Sequence, residues 1–176
     1  QVLTVAGFII LGLLIAIALN KSTRVHSFMQ SVIFAPHIIS LVSISMLWLW
    51  IMDYDYGLFN YLLGKIGLGP VSFLTNPNIV MYSLAAVSIW KGVGYYSLIF
   101  LSGLQAIQDD IYEAAALDNT PWHRKLFKIT LPMLSPTIFF IGITSIIASF
   151  KVFETISIMT QGGPMNASNT LVYYIY

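Results

Sequence analysis

Apolar positions in this chain come in long blocks divided by short polar stretches, with neither strict alternation nor single amphipathic stripes. Val2 to Leu19 is an unbroken apolar run, close to the roughly 20 residues a helix needs to cross hydrocarbon. Asn20 to Gln30 is polar, with Lys21, Arg24 and His26. Ser31 to Met52 is a second apolar block, with Pro36 near its beginning, where a missing N–H frees a carbonyl and kinks a helix. Asp53 to Asn78 is a connection rich in Gly, Pro, Asn and Asp; its one apolar piece, Leu58 to Leu63, is too short to span and suits the interface. Ile79 to Gln105 is a third block and Met133 to Phe153 a fourth; Gln161 to Ser168 is a loop of turn formers, and Thr170 to Tyr176 begins a fifth block. The pattern predicts an all-α membrane protein with four complete spans (2–19, 31–52, 79–105, 133–153) and the beginning of another at 170. With apolar residues at both termini, the chain reads as one transmembrane domain, 1–176, truncated at both ends.

Composition agrees. Only 9% of the 176 residues are charged and 57% are hydrophobic, against about 25% charged in soluble domains. A net charge of +1 without any run of Lys or Arg argues against nucleic acid, and the absence of cysteine removes disulfides and thiolate metal sites. The positive-inside rule sets the orientation. Lys21 and Arg24 precede the second span and Arg124, Lys125 and Lys128 follow the third, so these groups share the cytoplasmic side. Lys65, Asp53 and Asp55 fall outside, beside an interfacial belt of Trp48, Trp50, Tyr54 and Tyr56.

The polar island from Asp109 to Leu131 is the most informative stretch. Asp109 and Asp110 suit the positive end of a short helix, and Tyr112 to Leu117 has high helix propensity. Asn119 fits the left-handed position just past a helix end. Thr120 reads as an N-cap and Pro121 as the first position of a second helix. Tyr112, Ala115, Ala116 and Asn119 share one face at helical spacing, and Glu113 can reach a basic partner residue.

Glu113-Ala114-Ala115, then Asp118 and a turn residue, then Ile129 and Leu131-Pro132, resemble the "EAA" loop of ABC-importer permeases, in the sugar-importer branch of the binding-protein-dependent (type I) class. Pro36 through Trp48 to Gly57 and Asn60, and Thr160-Gln161-Gly162-Gly163-Pro164 through Thr170 to Tyr174-Ile175-Tyr176, match the same family in order. One departure is Asn119, where the family has glycine. The resemblance implies a partial type I transmembrane domain with a cytoplasmic helix-turn-helix coupling loop at 109–131. It implies ATP-binding cassette subunits docking through Glu113, Ala114, Ala115, Asp118, Asn119, Leu131 and Pro132. A second permease subunit, an extracytoplasmic solute-binding protein and membrane lipid complete the expected partners, in a bacterial or archaeal cytoplasmic membrane. No cofactor or metal is expected, and ATP hydrolysis belongs to a separate subunit.

Two charged sites lie inside the apolar blocks. Lys91, within Trp90-Lys91-Gly92-Val93-Gly94-Tyr95-Tyr96, either faces a protein interior or watery cavity or snorkels outward. On the first reading Trp90, Lys91, Tyr95 and Tyr96 lie near a substrate path, since aromatic faces beside polar donors suit a sugar. Lys151 and Glu154, three residues apart, form either a structural ion pair or part of the outer mouth of that path. Two alternatives remain: a permease of this architecture for a solute such as a glycerol phosphate, or an intramembrane enzyme using the carboxylates Asp109, Asp110 and Glu113. The enzyme reading lacks a second set of acidic ligands on that side.

Overall fold

The computed structural model describes residues 2–21, 23–150, 154–160 and 163–164, which form helices and connecting loops with no strand among them. Lys151 and the stretch from Thr170 to Tyr176 lie outside the described residues, as does the side chain of Glu154; so does the expected pairing of Lys151 with Glu154.

Helix α1, Val2–Leu19, packs along α5, Val80–Gln105. Small residues set the distance, as they do between membrane helices. Gly7 lies under Ile89 and Gly12 under Phe100 and the backbone of Ser97, while Ala16 is buried. Both contacts advance together along the two helices, so α1 and α5 run parallel. Two parallel crossings require one crossing between them. Leu19 and Gln105 therefore lie at the same end of the bundle.

That intervening crossing is not one helix over 31–52. It consists of α2, Arg24–Ile38, and α3, Leu41–Ile51, bent by 95°. Helix α2 starts seven residues earlier than expected because Thr23 caps it, its side chain accepting from the His26 N–H. Pro36 lies inside α2; the break falls just beyond it, where Ile39 and Ser40 turn extended (ψ 141° and 136°). The fourth span is also bent. Trp122–Met133 and Ser135–Ala148 meet at 64°, with Pro132 on one side and Pro136 on the other, and α9 runs Ser135–Phe150. Among the described residues two helices are long and apolar enough to cross a membrane, Val2–Leu19 and Val80–Gln105, and four crossings result if each bent pair counts as one.

Two apolar cores divide α5. Its C-terminal half holds Tyr96, Phe100 and Leu104 against Phe8 and Ala16 of α1 and Leu134 and Ile141 of the last span. Its N-terminal half holds Val80, Leu84 and Val87 against Ile44 of α3, Met52, and Ile156 and Met159 of α10, Glu154–Met159. Two buried serines avoid a desolvation cost by bonding back into their own helices, Ser45 to the Leu41 carbonyl at 2.8 Å and Ser97 to the Gly94 carbonyl at 2.8 Å.

The connection 53–78 contains the short helix α4, Leu58–Lys65, where the interfacial piece was expected, with Lys65 Nζ over the Tyr61 ring at 4.7 Å. Asn60 is its hub. The buried amide donates to the carbonyls of Asp53, Tyr54 and Val71 (3.2, 3.1 and 3.0 Å), and its oxygen accepts from the Val71 N–H at 2.8 Å. Gly57 is required beside it, because a Cβ there would overlap the Asp53 carbonyl. Asn60→Ala strands these buried groups and is expected to destabilise the loop by about 2–4 kcal/mol. Limited proteolysis between Asp53 and Asn78 in detergent would register the loss as accelerated cleavage.

Candidate functional site

The helix-turn-helix is formed by α6, Asp109–Leu117, and the segment beginning with α7, Trp122–Lys125. Its turn has the hydrogen-bond pattern that closes helix ends with a left-handed residue. The Thr120 N–H donates to the Ala115 carbonyl at 3.1 Å and the Asn119 N–H to the Ala116 carbonyl at 3.0 Å, with Asn119 at φ +49° and Asp118 as the C-cap. Asparagine thus holds the geometry for which the family pattern has glycine. The second helix starts one residue later than expected. Pro121, not Thr120, is the N-cap, extended at ψ 150°, its carbonyl accepting from the Lys125 N–H at 3.0 Å. Asn119→Val forces a β-branched side chain into the left-handed region, at an expected cost of about 1–3 kcal/mol, while Asn119→Gly stays within about 1 kcal/mol of the parent; thermal midpoints in detergent compare them.

The turn is tied to the last span through a π-helical segment, Leu126–Thr130. Its buried Thr130 hydroxyl bonds the Tyr112 hydroxyl at 3.1 Å and donates to the Lys125 carbonyl at 3.4 Å. Leu131 and Pro132 follow in α8, Leu131–Met133, leading into the 64° bend. A push on α6 therefore has a hydrogen-bonded route into the last span.

The face shared by Tyr112, Ala115, Ala116 and Asn119 is divided by this packing. Tyr112 and Ala115 turn inward, Ala115 being buried and the Tyr112 hydroxyl bonded to Thr130, while Ala116 and Asn119 are exposed. On α6, Glu113, Ala114 and Ala116 are exposed, and the helix-turn-helix exposes three large apolar side chains, Leu117 (86%), Trp122 (75%) and Phe127 (65%). Those three were not singled out in the sequence, where apolar residues in an apolar chain give no signal. The carboxylates Asp109, Asp110 and Glu113 do not converge: among the described residues no three His, Cys, Asp or Glu side chains could share a metal.

The second candidate group lies on α5. Trp90, Lys91, Tyr95 and Tyr96 do not share one surface. Tyr96 is buried against Phe8, ring centroids 4.5 Å apart, so it serves the core. Tyr95 stacks on His37 of α2 at 4.6 Å and 8°, and Trp90 meets Trp48 of α3 edge-on at 5.4 Å. Lys91 neither snorkels away nor projects into open space: its Nζ donates to the carbonyls of Pro36, His37 and Ile39 at 3.3, 3.3 and 2.7 Å. Gly94 lets the α2 backbone in, since a Cβ there would overlap the Ile33 carbonyl.

Two helices long and apolar enough to cross a membrane, two bent helix pairs and a polar helix-turn-helix define a helical membrane protein. A family model described as "Binding-protein-dependent transport system inner membrane component" matches residues 8–175, and the chain belongs to that family. It is 32% identical over 162 residues (92% of this chain, 55% of the relative) to "Trehalose/maltose transport system permease protein MalF" of Thermococcus litoralis. It is 33% identical over 174 residues (98% and 59%) to "sn-glycerol-3-phosphate transport system permease protein UgpA" of Yersinia pestis, and 31% identical over 174 residues (99% and 56%) to "Sulfoquinovosyl glycerol transport system permease protein SmoG" of Agrobacterium fabrum. The chain thus spans little more than half the length of these curated relatives. Among solved structures it resembles a chain of a bacterial alginate ABC transporter in complex with an alginate pentasaccharide-bound periplasmic protein, at a TM-score of 0.87 and 26% identity, over 99% of this chain and 63% of that one. A second alginate-importer structure gives a TM-score of 0.83 at 28% identity, over 94% and 59%. The fold is that of part of an ABC-importer transmembrane domain.

Proposed function

We propose that this chain belongs to the membrane-spanning permease of an ATP-driven, binding-protein-dependent importer for a carbohydrate. The observation that carries it is the family match along nearly the whole chain, joined to an exposed apolar helix-turn-helix bonded into the last span. The loop is the handle for cassette ATPase subunits, which hydrolyse the ATP. A second permease subunit, identical or related, supplies the other half of the path, and an extracytoplasmic binding protein delivers the solute. The parallel run of α1 and α5 supports the orientation, because it places Lys21, Arg24, Arg124, Lys125 and Lys128 at one end, as the positive-inside rule requires of a cytoplasmic face. Trp90 and Tyr95, both partly exposed, are the aromatic groups best placed to meet a sugar ring beside the bend.

A glycerol phosphate is the second reading, favoured by the similarity to UgpA. Uptake by the complete importer in proteoliposomes with its binding protein decides between them. ATP-dependent uptake competed by neutral mono- or oligosaccharides is the expected result. Competition by glycerol 3-phosphate alone selects the second reading, and no ATP-dependent uptake of either class overturns both.

A further inference from the structure

The break between α2 and α3 leaves backbone acceptors at membrane depth. The last carbonyls of any helix lack intrahelical partners, and in hydrocarbon each unsatisfied group costs several kcal/mol. Lys91 stands eleven residues into the 26-residue α5, about 17 Å along its axis, well away from either end. Its ammonium reaches the carbonyls of Pro36, His37 and Ile39 together, within 3.3 Å. An ammonium offers three N–H donors, and a positive charge is favoured at a helix C-terminus. The neighbouring residues hold both arms of the bend: Tyr95 stacks on His37 and Gly94 admits the Ile33 backbone on the α2 side, while Trp90 abuts Trp48 on the α3 side.

We infer that the bend is a carbonyl-lined cation site filled by the chain's own Lys91 ammonium, and that this tethered cation sets the angle between α2 and α3. The site takes small singly charged cations that donate several N–H bonds, primary ammonium and guanidinium ions alike. Lys91 is here a positioning residue, acting on the shape of the second span. The inference rests on the fold and not on the identity of the transported solute.

The test uses spin labels at Met29→Cys and Met46→Cys, exposed positions on the two arms, in the complete importer in vesicles. The chain has no cysteine of its own. The parent and Lys91→Arg are expected to give one narrow distance distribution, and Lys91→Met and Lys91→Ala a distribution at least about twofold broader, as loss of charged hydrogen bonds frees the break. Methylammonium should narrow the Lys91→Ala distribution again, whereas tetramethylammonium, which has no N–H, should not. Equal widths for Lys91→Arg and Lys91→Met would overturn the inference, and so would a broadened Lys91→Ala that ignores methylammonium. The Arg and Met pair decides the matter if Lys91→Ala does not assemble. Solute uptake by the same vesicles reports separately on the transport reading.

Discussion

Leu117→Glu is expected to abolish solute uptake by the complete importer while leaving this chain folded in the membrane. Leu117 is 86% exposed at the end of α6, so a charge there disturbs no core. If a cassette subunit covers this face, the same carboxylate is carried into an apolar contact, and burying it without a partner costs several kcal/mol. A loss of about 2.7 kcal/mol of docking energy is a hundredfold in affinity, enough to release the motor at cellular concentrations. Glu113→Arg reverses a charge on the same face and is expected to act in the same direction. Uptake assayed beside co-purification of the ATPase checks both: uptake and retained ATPase should fall together, with unchanged amounts of permease in the membrane. Ala115→Trp is not an equivalent probe, because Ala115 is buried and its carbonyl holds the turn. That variant tests the folding of the loop.

The second large effect is structural. Gly94→Ala places a methyl group onto the Ile33 carbonyl of α2, and backbone cannot move aside as a side-chain tip can. Overpacking ordinarily costs about 1–3 kcal/mol; forcing two helix backbones apart belongs at or above the top of that range. Gly92→Ala makes the useful contrast. Its added methyl meets the ring edge of Phe8, a side chain and not backbone, so the cost is expected to be at least about 1 kcal/mol smaller. Thermal unfolding of the two variants in detergent should rank Gly94→Ala well below Gly92→Ala, with the parent above both.

The parts of this fold written in contiguous residues were legible beforehand. Val2–Leu19 and Val80–Gln105 announce themselves as long, mostly apolar runs, and Asn119 by its place after Ala114-Ala115-Ala116 and before Pro121. What distant residues decide was not legible. The second span breaks at Ile39 and Ser40, beyond Pro36, and its carbonyls are met by a lysine more than fifty positions away. Proline frees an acceptor, but where the chain can afford to open depends on where a donor waits. Tyr95 and Tyr96 read as a pair of path aromatics, yet successive residues on a helix point about 100° apart, so one reached α2 and the other the core. Asn60 stands out in the sequence only as part of the family pattern; its role as hub depends on the return of Val71 against it. That Tyr112 turns inward from α6 is hidden for a similar reason, since its partner Thr130 lies 18 positions away.

The account depends above all on which side of the membrane carries the helix-turn-helix. Single cysteines at Leu117 and Tyr56, 86% and 85% exposed, can be offered to a membrane-impermeant maleimide in the otherwise cysteine-free chain, first on intact cells and then after permeabilisation. The account predicts that Tyr56→Cys is labelled on intact cells and Leu117→Cys only once the membrane is opened. Labelling of Leu117→Cys on intact cells would contradict it.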